Sequence, residues 1–151
     1  MIRPYSPEDK PALLAILQQN IPQYFHPSEV NDYEEYLEKH LEDYFVAEEN
    51  GKVVGAGGIN YFPEEKLARL SWDIIDPDFQ GQGIGKELTR HRINEIKSNA
   101  ALTRIVVRTT QLVYRFYERM GFRLERTEKD FWAEGYGLYQ MCMSLPDSTT
   151  A

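Results

Sequence analysis

One cysteine, three histidines and no long apolar run bound what this 151-residue chain can be. The single thiol, Cys142, has no intrachain partner for a disulfide, and its neighbours Met141 and Met143 mark it as core filler rather than a nucleophile. A reduced, cytoplasmic setting is therefore expected. The histidines and the cysteine are scattered without ligand spacing, so no metal centre is expected. No stretch approaches the ~20 apolar residues of a membrane-spanning helix, and the N-terminus carries no signal-peptide pattern, so no membrane partner is expected. Linkers, repeats and low-complexity segments are also missing. No serine or cysteine resembles a nucleophile activated by a base, which argues against a covalent acyl-enzyme.

What is present reads as an ordinary globular chain, 42% apolar and 27% charged. One domain over residues 1–146 is expected, followed by a polar, flexible tail at 147–151. The net charge of −7 is unevenly spread. Residues 1–79 carry 6 Lys/Arg against 16 Asp/Glu, whereas residues 80–123 carry 9 against 3. A basic island in an acidic chain suits an anionic ligand held at one segment. The acidic N-terminal half argues against nucleic acid and leans toward a cationic acceptor.

The pattern of elements is legible. Ile2-Arg3-Pro4-Tyr5 reads as a short strand. Ser6 and Pro7 open a helix that buries Leu13, Leu14, Ile16 and Leu17. A second helix is expected from Asn31, burying Tyr33, Tyr36, Leu37 and Leu41. Asn50-Gly51 between two strand-like runs predicts a tight hairpin. In the second of those runs, glycines 55, 57 and 58 point either to close approach of another group or to a bulge. A strand follows over Leu67 to Ile75, a helix from Ile84 to about Lys97, a strand over Arg104 to Arg108 and a helix from Gln111 to Met120, ended by Gly121. Strands over Phe122 to Thr127 and Leu138 to Leu145 close the order βααβββαβαββ.

The most informative stretch is Gln80-Gly81-Gln82-Gly83-Ile84-Gly85, set between the strand ending Ile74-Ile75-Asp76-Pro77 and the third helix. A glycine-rich turn at a helix N-terminus offers unobstructed amides and partial positive charge to a pyrophosphate. A Walker A loop is excluded, because Gly85-Lys86 is followed by Glu87 and the leading glycine is replaced by Gln80. A dinucleotide fingerprint fails as well, since its last glycine would fall on Lys86 or Leu88. The spacing Q-x-x-G-x-G within I-D-P-D-F-Q-G-Q-G-I-G resembles the acetyl-CoA loop of the GNAT N-acetyltransferase superfamily. Phe116-Tyr117-Glu118-Arg119-Met120-Gly121-Phe122 is similar to a second segment of that family, and the order of elements matches over nearly the whole chain.

The resemblance implies an α/β (α+β) GNAT acyl-CoA N-acyltransferase fold, a mixed central sheet with flanking helices, and transfer of acetyl from acetyl-CoA directly to an amine. It implies that backbone groups of Ile74 and Ile75 meet the pantetheine arm. Amides from Gln82 to Lys86 would hold the pyrophosphate, and Lys86 or Arg90 would add charge. Thr110 stands where the family often has asparagine; it can still hydrogen-bond the cofactor arm, so its exact contacts are open. Tyr117 would be the general acid that meets the leaving thiolate, with Tyr114 one turn earlier as the decoy. Asp73 is the first candidate for the base that deprotonates the amine; Glu48 and Glu49 are weaker ones. By the same resemblance, the acceptor lies between Tyr24, Phe25, His26, Tyr33 and Tyr36 on one side and Phe131, Trp132, Tyr136 and Tyr139 on the other. Such walls would suit a primary ammonium on an apolar body, although these aromatics could equally pack the core or a homodimer surface. A small-molecule amine is favoured; a protein N-terminus or lysine, and a non-catalytic acyl-CoA sensor, stay open as alternatives.

Overall fold

A computed structural model describes residues 1–146, and the tail expected at 147–151 lies outside the described residues. Its strands are β1 (Ile2–Pro4), β2 (Asp43–Glu49), β3 (Lys52–Phe62), β4 (Leu67–Ile75), β5 (Arg104–Thr109), β6 (Arg123–Ala133) and β7 (Tyr136–Ser144). The helices are α1 (Lys10–Gln19), α2 (Glu29–Glu35), α3 (Ile84–Lys97) and α4 (Tyr114–Arg119). The strands form one mixed seven-stranded sheet in the order β1-β2-β3-β4-β5-β7-β6. Only β4 and β5 among the registered pairs run parallel, and the α3 connection supplies the long crossover that parallel neighbours need. No described helix is long and apolar enough to cross a membrane. The chain divides into two compact units, Met1–Gly58 with Trp72–Arg90, and Ile59–Ser71 with His91 onward.

In the first unit, Pro4 sits on β1, the sheet edge, where its missing N–H costs no ladder bond. A 3-10 turn at Pro7–Asp9 precedes α1. The Asp9 carboxylate accepts from the Ser6 N–H at 2.9 Å and takes a two-point bond from Arg3, both at 2.8 Å. That guanidinium holds the Asp9 carboxyl below the usual carboxylate range. Leu13, Ile16 and Leu17 are buried on one stripe of α1, each contributing roughly 1.5–3 kcal/mol on burial. Asn50 (φ +51) and Gly51 (φ +79) form the expected hairpin turn between β2 and β3.

The second helix starts at Glu29, two residues before Asn31, because carbonyls of the preceding loop take its first N–H groups: Glu29 N–H donates to His26 O at 2.9 Å and Val30 N–H to Pro27 O at 3.3 Å. The His26 N–H donates to Glu29 Oε2 at 2.9 Å, and the Ser28 N–H donates to His26 Nδ1 at 3.0 Å. The helix then loosens into a π turn over Tyr36–His40.

In the second unit, β4 pairs with β5 over Leu67–Leu70, and β5 pairs with β7 along its whole length. The fourth helix is shorter than the sequence pattern suggests. Its expected first turn, 111–113, is instead a non-helical turn tied by Thr110, whose hydroxyl accepts from the Leu112 N–H at 3.1 Å. At the other end Gly121 (φ +104) makes a complete Schellman cap: Phe122 N–H reaches Tyr117 O at 3.0 Å and Gly121 N–H reaches Glu118 O at 3.1 Å. The last hairpin is longer than expected. Strand β6 continues to Ala133 and turns at Gly135 (φ +83), so Phe131 and Trp132 are strand residues. The charged run Glu128-Lys129-Asp130 hides this continuation, because β6 is an edge strand exposed from Arg123 to Phe131 and has no buried face to alternate.

Candidate functional site

The glycine loop forms its turn through backbone conformation. Gly81 (φ +77) and Gly83 (φ +86) occupy the left-handed region, and a methyl group built on either would meet nothing within 4 Å. Glycine is therefore needed there for φ, and the loop presents an open face. The first helical bond of α3 is Glu87 N–H to Gly83 O, at 3.0 Å. The amides of Ile84, Gly85 and Lys86 precede that ladder and are the donors a helix leaves to a ligand. Ile84 and Leu88 anchor the helix in a cluster with Ala47 and Val54, while Lys86 and Arg90 are exposed beside the loop. Upstream, buried Asp76 accepts from the Asp78 N–H at 2.9 Å and faces Lys52 Nζ at 3.5 Å, fixing the turn that enters the loop.

Gln80 is held by a residue that the sequence does not flag. Buried Asn20, at the end of α1, accepts from Gln80 Nε2 at 3.1 Å and donates to Ile16 O and Ile75 O, each at 2.9 Å. One side chain thus ties helix, strand end and glycine loop together, and its bond to Ile75 O reaches one of the two residues whose backbone groups are expected to meet the pantetheine arm. An Asn20→Ala variant leaves that carbonyl without its donor and Gln80 without its anchor. The expected cost is ~1–3 kcal/mol of stability together with weaker coenzyme A binding, checked by thermal melting and calorimetry. Unchanged coenzyme A affinity would remove Asn20 from the cradle.

Strand β4 bends at Trp72, whose φ of +50 is strained for an aromatic residue. The strain is held from several sides. Tyr44 Oη donates to Trp72 O at 2.8 Å, and the ring packs on Tyr33 and Phe25 with centroids 4.8 and 6.3 Å away. Tyr33 in turn donates to Tyr44 Oη at 2.7 Å, and burial pushes the Tyr44 phenol well above its ordinary pKa. Beyond the bend the apolar residues go to opposite faces of the strand. Ile74 joins the Leu13–Tyr33 cluster with Trp72, whereas Ile75 joins the Ala47–Leu88 cluster. Asp73 between them is half-buried.

The acceptor-wall residues of the first unit separate into two kinds. Tyr36 is a core residue, 7% exposed, with its ring 5.7 Å from that of Tyr44. Tyr24 and His26 are half-buried in the loop between α1 and α2. His26 Nδ1 also lies 2.8 Å from Ser28 Oγ, so the imidazole braces the turn that enters α2.

In the second unit Tyr117 is buried on α4, with its ring edge-to-face against Phe116 at 5.0 Å and Phe122 at 5.9 Å. Tyr114 instead packs against Tyr139, with ring centroids 4.6 Å apart and the planes tilted by 43°. Thr110 sits at the end of β5 with its hydroxyl oxygen engaged in the following turn. Trp132 is half-buried and donates its indole N–H to Thr109 O at 3.2 Å, which fastens the last hairpin to the end of β5. Tyr136 opens β7 opposite Ala133. Gln111 spans the same hairpin, donating to Gly135 O at 2.7 Å and accepting from the Gly137 N–H at 2.9 Å. The sequence reading missed Arg108, whose guanidinium stacks over Phe131 at 4.9 Å and Trp132 at 5.6 Å. Buried Cys142 packs with Leu67 and Val106, and burial raises its thiol pKa.

Comparison with known proteins agrees with this layout. An amino-acid acetyltransferase of Mannheimia succiniciproducens is 26% identical over 132 residues, covering 84% of this chain and 28% of that protein. The chain thus spans little more than a quarter of that relative's length. A GNAT-family structure from Desulfovibrio desulfuricans superposes with a TM-score of 0.81 at 20% identity, covering 97% of this chain and 99% of that one. An aminoglycoside 6′-N-acetyltransferase complexed with coenzyme A superposes with a TM-score of 0.76 at 17% identity, covering 97% and 98%. At these identities the superpositions establish the fold. The model of the Acetyltransferase (GNAT) family matches residues 11–122, a span that holds both the glycine loop and the Tyr117 segment, and the chain belongs to that family.

Proposed function

We propose that the protein transfers acetyl from acetyl-CoA to an amine, and that the acceptor is a small molecule. The observation that carries the reading is the pair of left-handed glycines placing the Ile84, Gly85 and Lys86 amides ahead of the α3 ladder. Those donors fit a diphosphate, and the exposed Lys86 and Arg90 add positive charge beside it. Coenzyme A brings the acetyl group as a thioester, which an amine can attack without a metal or a covalent enzyme intermediate. In the balanced reaction the amine nitrogen gains a bond to the acetyl carbon, the carbon–sulfur bond breaks, and one proton passes from amine to sulfur. Asp73 is assigned the removal, directly or through water, of the extra proton that an ammonium carries before attack, which passes on to solvent; Tyr117 is assigned the donation of a proton to the thiolate, and the second proton that nitrogen sheds as the amide forms restores the phenol. Helix α4 and its cap give the phenol a fixed bearing. A small acceptor is favoured because the matched relative is named an amino-acid acetyltransferase.

The test is an amine-panel assay with acetyl-CoA, reading thiol release alongside calorimetry of coenzyme A binding. Release with a small amine at ordinary Michaelis constants is the expected result. Release only with peptides would assign the enzyme to protein substrates. Tight binding with no release from any amine would make it an acyl-CoA sensor.

A further inference from the structure

A groove of about 190 Å³ runs over one face of β4, β5 and β7 in the second unit, floored by Leu67 and Val106. Alternation along β5 brings Arg104, Val106 and Arg108 to this face, and the ladders set Arg69 against Val106 and Gln140 against Arg108. Three arginines therefore line the groove, against one carboxylate, Glu65. Glu125 compensates Arg104, lying 3.5 Å from it, and accepts at 3.0 Å from Gln140, the residue opposite Arg108. Arg108 Nε is buried and lacks a hydrogen-bond partner among the described residues. Burial lowers the Arg108 pKa, and the charges of Arg69 and Arg126 lower it further, opposed by Glu128. Glu128 is itself 3.7 Å from Arg126. A guanidinium N–H removed from water and left unpaired costs free energy that an arriving anion would recover.

Arg108 stacks on Trp132, and Trp132 is bonded to Thr109, next to Thr110 at the end of β5. One face of the Phe131 and Trp132 rings, read from sequence as a seat for a substrate ammonium, thus already carries a cation of the chain itself. A planar guanidinium fork matches a carboxylate in two-point geometry. We propose that this groove is an anion subsite in which Arg108, with Arg69 beside it, seats a carboxylate of the acceptor, so that the amine acetylated is amino-acid-like. The assignment rests on the acetyl-transfer reading for its acceptor, but the anion site itself can be tested without turnover.

Two measurements on the full chain decide it. The first compares an α-amino acid with the matching carboxylate-free amine, in wild type and in Arg108→Met, which removes the guanidinium and keeps an unbranched apolar side chain. The variant should raise KM for the amino acid about 10- to 100-fold, with kcat, the KM for acetyl-CoA and the KM for the carboxylate-free amine little changed. Arg108→Lys should restore part of the loss. Equal effects on both acceptors, or a wild type indifferent to the carboxylate, would overturn the proposal. The second titrates succinate without acetyl-CoA and reads thermal stabilisation. Saturable stabilisation lost in Arg108→Met, with succinate competing against the amine, supports the subsite. Stabilisation without competition would make the anion a separate effector and overturn the acceptor assignment; no stabilisation would overturn the site. Arg108-dependent binding in a protein that acetylates no amine would sink the transfer reading and leave only the anion site.

Discussion

Replacing Tyr117 by phenylalanine is expected to lower kcat about 10²- to 10⁴-fold while acetyl-CoA affinity stays within about twofold. The substitution deletes one oxygen and keeps the ring, so the edge-to-face contacts with Phe116 and Phe122 and the cap at Gly121 survive. Melting temperature should therefore move little. A proton supplied only as sulfur departs acts in the transition state, so its loss belongs in kcat and not in ground-state binding. Stopped-flow thiol release and calorimetry on the same preparation separate the two. An unchanged kcat would show that water or another group, with Tyr114 the nearest alternative on the helix, protonates the leaving thiolate.

Gly58→Ala is expected to destabilise the fold by crowding its core. A methyl at this position would overlap the Tyr44 ring and lie 2.8 Å from Tyr36 Oη and 2.9 Å from Asp43 O. The carbonyl belongs to β2 and cannot swing aside, and both tyrosines are packed in the same core cluster. Overpacking of this kind costs ~1–3 kcal/mol, or roughly 3–10 °C in Tm for a chain of this size. It should also disturb the Tyr33–Tyr44–Trp72 hydrogen-bond chain that holds the bend in β4. A melting temperature equal to wild type would mean that the Tyr36–Tyr44 pair yields at little cost, and that β3 does not need glycine here.

This glycine shows where reading from sequence was adequate and where it stopped. The run of glycines in β3 signals that something comes close to the backbone. Local pattern cannot say what, because Tyr36 and Tyr44 are brought there from other elements of the chain. At Gly55 the neighbours are again the chain's own, Ile75 Cδ1 at 2.9 Å and Ile84 Cγ2 at 3.4 Å from a built methyl. The starts of α2 and α4 were misplaced for a related reason. His26 and Thr110 bond into the adjacent turns, and such side-chain geometry is invisible to hydrophobic periodicity. Strand β6 was cut short because an exposed edge strand carries no alternation to read.

The sequence by itself determined the order of elements, the hairpin at Asn50-Gly51, the bounds of β4 and α3, and the glycine loop between them. These depend on backbone preferences within a few residues, where φ-permissive glycines and apolar spacing act locally. Tertiary structure decided what surrounds those elements. It brought Asn20 to Gln80 across 60 positions of sequence, made Tyr36 core, and set Arg108 against Phe131 and Trp132 with an unpaired buried N–H. Contacts between residues so far apart arise only when strands pair and helices pack, because burial and hydrogen-bond satisfaction are properties of the assembled chain.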